Sequence, residues 1–109
     1  MKSEFETGRK ANLGSLIDYS SEAIVSKTLI RKDSGTVTLF AFDQGQGLSE
    51  HTAPFNAMVQ IVDGEGIIII DKKEHSLSHG EFIIMPGNVP HAVDAKVKFK
   101  MLLTMIKSK

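Results

Sequence analysis

Residues 80–95 read Gly80-Glu81-Phe82-Ile83-Ile84-Met85-Pro86-Gly87-Asn88-Val89-Pro90-His91-Ala92-Val93-Asp94-Ala95. The apolar run up to Met85 predicts a strand. Segment 86–90 holds two prolines and a glycine, which end that strand in a turn. Pro90 restricts φ, so it stiffens the chain just before His91 opens the next strand. The stretch therefore predicts two short strands joined by a rigid turn, with an imidazole at the start of the second.

A second informative stretch reads Gly45-Gln46-Gly47-Leu48-Ser49-Glu50-His51-Thr52-Ala53-Pro54-Phe55-Asn56-Ala57-Met58-Val59-Gln60-Ile61-Val62-Asp63-Gly64. Residues 58–62 predict a strand. We interpret residues 63–66, Asp-Gly-Glu-Gly, as a hairpin turn that closes this strand. The same glycines do not form a phosphate loop, because no helical pattern follows them.

The rest of the chain from residue 23 onward also predicts strands. Segments 24–30 and 36–42 are rich in β-branched residues, and turn residues separate them. Residues 67–70 are four consecutive isoleucines, so both faces of that strand should be covered. The last strand carries one apolar face, formed by Phe99, Met101, Leu103 and Met105. Roughly eight short strands at this spacing predict an all-β sandwich or barrel.

The length of 109 residues is that of one domain, which we place over residues 1–109. Residues 1–22 form a weakly patterned N-terminal arm, and residues 23–107 form the β-barrel. Within the arm, Ser15–Tyr19 fits either a short helical turn or an extended segment, and the sequence leaves both open.

Composition excludes several classes of protein. Thirteen basic and thirteen acidic residues give a net charge of zero, which disfavours nucleic acid and anionic membranes as partners. The chain has no cysteine, so thiolate chemistry and disulfides are excluded. The polar N-terminus lacks a signal-peptide apolar region, and the run 67–70 is far shorter than the ~20 residues of a membrane helix. We expect a cytoplasmic protein.

Together, the two quoted stretches resemble the cupin superfamily, whose motifs are written G-x5-H-x-H-x3–4-E-x6-G and G-x5-P-x-G-x2-H-x3-N. His51 lies six residues after Gly45, as the first motif requires. The second motif is matched at Gly80, Pro86 and His91, while Asn88 replaces one of its glycines. The resemblance covers roughly residues 36–105. It implies a double-stranded β-helix, that is, an all-β jelly-roll barrel, preceded by the N-terminal arm.

The resemblance also implies four metal ligands, of which this chain keeps two. His51 and His91 take the first and last ligand positions, but Ala53 and Ala57 stand where the family has His and Glu. Cupins hold a divalent ion with three imidazoles and one carboxylate, and losing the carboxylate removes the charge compensation that the ion needs. We therefore expect no tightly bound cofactor, and at most a weakly bound divalent transition metal on the two histidines. Restoring the set would require a nearby donor such as Glu50, Asn56 or Gln60, or a ligand that itself chelates the ion.

The two alanines also predict a roomier and less polar barrel cavity. Such a pocket, with one or two imidazoles, suits a small organic ligand. The residues expected to bind this ligand are His51, His91, Ala53, Ala57, Val59 and Met101. The leading hypothesis is a small cupin barrel that binds a small molecule without a complete metal site. Small cupins are commonly dimers, so the resemblance also implies a homodimer.

Three other hypotheses stay open. One is a metal-dependent oxygenase or isomerase that uses His51 and His91 with unconventional additional ligands. Another is a metal-free enzyme in which one of these histidines acts as general base, as in the sugar epimerases of the superfamily. The third is a structural domain whose barrel is simply filled.

Other residues that could suggest chemistry have simpler interpretations. His75 and His79 flank a turn and are expected at the surface. Four methionines occur at strand spacing, which is more typical of core filling than of a copper site built from thioethers. They are Met58, Met85, Met101 and Met105. Tyr19 is expected to be a packing residue. We expect a row of solvent-exposed side chains along one strand, formed by Lys96, Lys98 and Lys100.

Overall fold

Short β-rich segments separated by turn residues produce an all-β fold. The computed structural model describes residues 4–107, which form a 3-10 helix, Leu13–Ser15, and eight strands. The strands are β1 (Ile24–Lys32), β2 (Gly35–Phe42), β3 (Gly47–His51), β4 (Ala57–Ile70), β5 (Lys73–Ser78), β6 (Phe82–Met85), β7 (His91–Asp94) and β8 (Phe99–Ile106). Within residues 4–107, no helix has the length and apolar character needed to cross a membrane.

The strands form two antiparallel sheets that share β4. The first sheet has the order β1-β2-β8-β4-β6, and the second has the order β5-β4-β7-β3. The first half of β4 pairs with β6 and β8, and its second half pairs with β5 and β7. This curled arrangement confirms the predicted jelly-roll fold.

The predicted hairpin turn at residues 63–66 is wrong, because this segment continues β4 from one sheet into the other. The pairing with β8 is irregular between Ile61 and Asp63, and Gly64 has a φ of 74°. Gly66 follows, where a Cβ atom would lie 2.6 Å from the ring of Phe99. Glycine is needed here because the strand bends while it passes a buried aromatic side chain. The turn residues of this segment therefore lie within a continuous strand, directly after the irregularity at Val62.

A tight turn follows the isoleucine run. Asp71 and Lys72 both have positive φ, 50° and 70°, as a two-residue hairpin between β4 and β5 requires. Within the run, Ile67 and Ile68 point to opposite sides of the strand, and both are buried. Both faces of β4 are thus covered at this point, as expected.

Two apolar clusters lie on opposite sides of the first sheet. The larger one fills the space between the sheets, where the rings of Phe42 and Phe99 stack with centroids 4.8 Å apart. The smaller one joins Leu39 and Ala41 of β2 to Ile17 of the N-terminal arm. Alternation along β2 explains this division, since neighbouring residues face opposite sides of a sheet. The arm therefore covers the outer face of the barrel.

One lysine of the expected solvated row is buried. Lys96 and Lys98 are exposed, but Lys100 is only 7% exposed and its Nζ donates a hydrogen bond to the Gly14 carbonyl oxygen at 2.5 Å. The ammonium group also lies 4.9 Å from the ring centroid of Tyr19, within cation–π range. The expectation for Lys100 is wrong because the arm folds over this part of β8.

Tyr19 packs against the smaller cluster, as expected, and also makes a polar contact. Its hydroxyl donates a hydrogen bond to Asp63 Oδ2 at 2.5 Å. Burial raises the pKa of Tyr19, and the neighbouring carboxylate raises it further. The sequence left two conformations open for Ser15–Tyr19. The structure has a 3-10 turn at Leu13–Ser15, which shares only Ser15 with that segment.

Candidate functional site

Two histidines meet at one end of the second sheet. His51 is the last residue of β3, His91 is the first of β7, and the two are direct partners in the pairing of these strands. Their ring centroids are 4.3 Å apart, with an angle of 68° between the rings. His91 is only 7% exposed, whereas His51 is exposed at the rim. Antiparallel pairing therefore places side by side two imidazoles that are forty residues apart in the chain.

The backbone orients both imidazoles in the same way. Nδ1 of His51 lies 2.8 Å from the Ser49 carbonyl oxygen, and Nδ1 of His91 lies 3.2 Å from that of Val89. A carbonyl oxygen only accepts hydrogen bonds, so each Nδ1 carries the hydrogen and donates it. In the neutral ring, Nε2 is then left with a free lone pair.

Nε2 of His91 reaches open space. Within residues 4–107, no fully buried side-chain nitrogen or oxygen lacks a hydrogen-bond partner. Nε2 of His91 makes no hydrogen bond in this part of the chain, although the residue as a whole is buried. The atom therefore keeps some accessible surface, and His91 is one of the residues that line the cavity described next.

This cavity has a volume of about 110 Å³ and lies between the two sheets. The residues that line it are Leu48, His51, Ala53, Phe55, Ala57, Met85, His91, Val93, Met101, Leu103 and Met105. Five of the six residues predicted to bind a ligand thus meet at one place. The sixth, Val59, is fully buried in the larger cluster and is not among the lining residues.

The cavity is smaller than the roomy pocket expected from the two alanines. Ligand pockets for drug-sized molecules are about 300–1,000 Å³, well above this volume. The side chains of Phe55, Met85 and Met105 also line the cavity, and the sequence pattern did not indicate any of them as site residues. Met105 shares the apolar face of β8 with Met101, and this alternation was a signal that could have identified it.

The wall opposite the histidines is a row of three residues from adjacent strands. Ala57, the first residue of β4, pairs with Met85 of β6 on one side and with Met105 of β8 on the other. Directly paired residues project from the same face of a sheet. A small alanine between two long methionines leaves a gap in the row, and this gap opens the cavity.

Two loops that hold the rim of the cavity are joined by hydrogen bonds. Asn88 N–H donates to the Ala53 carbonyl oxygen at 2.7 Å, and Gly87 N–H donates to Asn56 Oδ1 at 2.9 Å. Asn88 has a φ of 65°, a conformation that asparagine tolerates better than most side chains. Asparagine can therefore stand at the position where the motif has glycine.

The side chains present do not fit the divalent ion that the cupin fold implies. No cluster of three His, Cys, Asp or Glu residues suited to a metal exists within residues 4–107. Of the three possible replacement donors, Glu50 pairs with Lys72 at 3.1 Å, and Asn56 accepts the hydrogen bond from Gly87. Gln60 alternates with Val59 and points away from the barrel interior. The cavity wall therefore offers imidazoles without a carboxylate.

The other two histidines lie outside the cavity. His79 is exposed in the turn after β5, as expected. His75 lies within β5, where it pairs with Ile68 and is half-buried. Neither lines the cavity, so only two of the four histidines belong to the candidate site.

The fold and the site define a small jelly-roll barrel with an apolar cavity and a partial set of metal ligands. The model of the cupin domain family matches residues 38–106, more than half of the chain. The chain therefore belongs to the cupin family. No curated protein matches it significantly.

Three solved structures show the same fold over most of the chain. A conserved protein of unknown function from Streptococcus pyogenes is 31% identical, with a TM-score of 0.91 over 97% of this chain and 93% of that one. A cupin superfamily protein from Desulfitobacterium hafniense is 27% identical, with a TM-score of 0.89 over 96% of both chains. A cupin 2 conserved barrel domain protein from Leptotrichia buccalis is 39% identical, with a TM-score of 0.86 over 89% of this chain and 47% of that one.

Proposed function

We propose that this cupin binds a small organic molecule in the cavity between its sheets, with His51 and His91 as the polar anchors. The observation that carries the proposal is the orientation of the two imidazoles. Each Nδ1 is engaged by the backbone, which leaves the Nε2 atoms as the free acceptors of two residues that line an otherwise apolar cavity. A pocket of this kind pairs apolar contact with a few well-placed polar groups.

The geometry also limits the chemistry of the ligand. A neutral imidazole that donates through Nδ1 accepts through Nε2, so the ligand should present a hydroxyl or another hydrogen-bond donor. An apolar cavity of about 150 Å³ in another protein holds one benzene molecule. With about 110 Å³, this cavity is smaller than that one, so an aromatic ring fits only if part of the molecule extends towards the exposed His51.

Phenol and toluene form a matched pair of probes, since a hydroxyl replaces a methyl group of similar size. We expect phenol to raise the Tm of the native chain more than toluene does at the same concentration. A probe at ten times its Kd stabilises a protein by about 1.4 kcal/mol. For a domain of this size, that corresponds to a rise of about 5–10 °C.

The variants His51→Gln and His91→Gln should lose the preference for phenol, and His79→Gln serves as a control on an exposed histidine outside the cavity. The proposal would be wrong if phenol and toluene had equal effects on the native chain. It would also be wrong if either cavity variant kept the full phenol effect. The homodimer and the cytoplasmic location stay predictions from the sequence.

A further inference from the structure

Two loops cover one end of the cavity. Segment 52–56 joins β3 to β4, and segment 86–90 joins β6 to β7. The strand residues next to these loops all line the cavity: His51, Ala57, Met85 and His91. A ligand that is too long for the cavity therefore meets these two segments, which we call the rim loops.

Phe55 is the large side chain that the rim loops place at the cavity. The lining residues from these loops are Ala53 and Phe55. Phe55 is half-buried, so it borders both the cavity and the surrounding solvent. It is bulkier than the other lining residues that keep exposed surface, which are Leu48, His51, Ala53, Leu103 and Met105.

The backbone on both sides of Phe55 is held by the other rim loop. The Ala53 carbonyl oxygen accepts a hydrogen bond from Asn88 N–H, and Asn56 Oδ1 accepts one from Gly87 N–H. Gly87 also packs directly on Phe55, because a Cβ atom at Gly87 would lie 3.1 Å from both the backbone N and the carbonyl C of Phe55. The position of Phe55 is therefore fixed by contacts that involve no ligand.

We propose that Phe55 sets the upper limit on the size of the molecule that the cavity accepts, so that it admits a hydroxy compound with one ring and excludes one with two fused rings. This inference rests on the proposed function and deepens it, since it names the size class of the ligand. The cavity has about 110 Å³, less than the ~150 Å³ of a cavity that holds benzene. Any larger ligand must therefore extend past the rim, where Phe55 lies.

The change Phe55→Ala removes the six ring carbon atoms, as many as benzene has. The variant should therefore have room for about one further aromatic ring. Because Phe55 comes from a loop and is half-buried, this change leaves the strand pairing of both sheets intact. Phe55→Leu removes less of the side chain and is a milder second variant.

Isothermal titration calorimetry with phenol and 2-naphthol tests the proposal. Each probe has one hydroxyl, and 2-naphthol has one additional fused ring. We expect the native chain to bind 2-naphthol no more tightly than phenol. In Phe55→Ala, the ratio of the two Kd values should change at least about tenfold in favour of 2-naphthol, which corresponds to ~1.4 kcal/mol. Phe55→Leu should show a smaller change in the same direction.

Two further variants separate the position of Phe55 from general effects of substitution. Gly87→Ala places a methyl group against the Phe55 backbone, and Gly87 has no positive φ that would disfavour alanine. Since no lining side chain is altered, a changed Kd ratio in this variant would report displacement of Phe55. Phe82→Ala is the matched control, because Phe82 is 57% exposed on β6 and does not line the cavity. It should keep the native ratio.

The outcomes distinguish this inference from the proposed function. If phenol binds the native chain and Phe55→Ala keeps the native Kd ratio, the inference is wrong and the proposed function stands. If only Phe55→Ala binds the probes, Phe55 limits access as proposed, but the native chain does not bind the single-ring ligand. If neither chain binds either probe, both the proposed function and the inference are wrong.

Discussion

The substitution Gly66→Ala tests the continuous path of β4 between the two sheets. Gly66 is buried and pairs with Leu77 of β5. A Cβ atom at this position would meet carbon atoms of the Phe99 ring at 2.6 and 2.8 Å. Optimal contacts between carbon atoms are about 3.5–4.0 Å, so the ring and the strand would have to separate by about 1 Å.

The expected loss of stability follows from these contacts. Overpacking of a core costs about 1–3 kcal/mol. Phe99 also stacks on Phe42, and a displaced ring loses part of an interaction worth about 0.5–1.5 kcal/mol. Alanine within a strand recovers about 0.5–1 kcal/mol relative to glycine. The net destabilisation is about 1–3 kcal/mol, which lowers the Tm by about 5–20 °C.

Thermal unfolding followed by circular dichroism measures this effect, and Phe99→Leu completes a double-mutant cycle. The smaller leucine should relieve the clash, so Gly66→Ala should cost less in that background, with a coupling above about 0.5 kcal/mol. Gly14→Ala is the control, because its nearest neighbour is a side-chain atom of Asn12 at 3.3 Å. A Tm of Gly66→Ala within about 2 °C of the native value would refute the close packing of β4 on Phe99.

Two further predictions concern the vacant ligand positions and acid stability. The double substitution Ala53→His and Ala57→Glu should create a Ni(II) site beside the two cavity histidines, which would appear as a nickel-dependent rise in Tm. An equal rise in the native chain or in the control A53H/A57Q would contradict this prediction. The backbone N–H groups of Glu22 and Gln44 lower the pKa of Asp43. Its stabilisation is therefore complete above the unfolded pKa and disappears as pH falls through the folded pKa. Asp43→Asn should lower the Tm near neutral pH, and the difference in Tm between this variant and the native chain should shrink below about pH 4. A difference in Tm that stays constant with pH would contradict stabilisation by the Asp43 carboxylate.

Local sequence patterns predicted most of the strands because strand propensity and turn chemistry act over a few residues. The predicted segment 36–42 is β2 almost to the residue, and β7 begins at His91 as the flanking proline indicated. The wrong predictions depend on partners that are distant in sequence. Residues 63–66 have turn chemistry, but their pairing with β8 and β5 keeps them within one continuous strand. Lys100 follows the pattern of a solvated face, yet the N-terminal arm covers it.

The sequence alone determined the jelly-roll class, and it predicted the two histidines that line the cavity together with the alanine that stands in place of the motif's carboxylate. These follow from residue identity and spacing, which are properties of the chain itself. Only the tertiary structure decided the size of the cavity, the exclusion of Val59 from its wall and the gathering of three methionines opposite the imidazoles. The pairing register of β4 with β6 and β8 creates that wall. Register joins residues far apart in the chain, so local patterns could not reveal which side chains share the cavity.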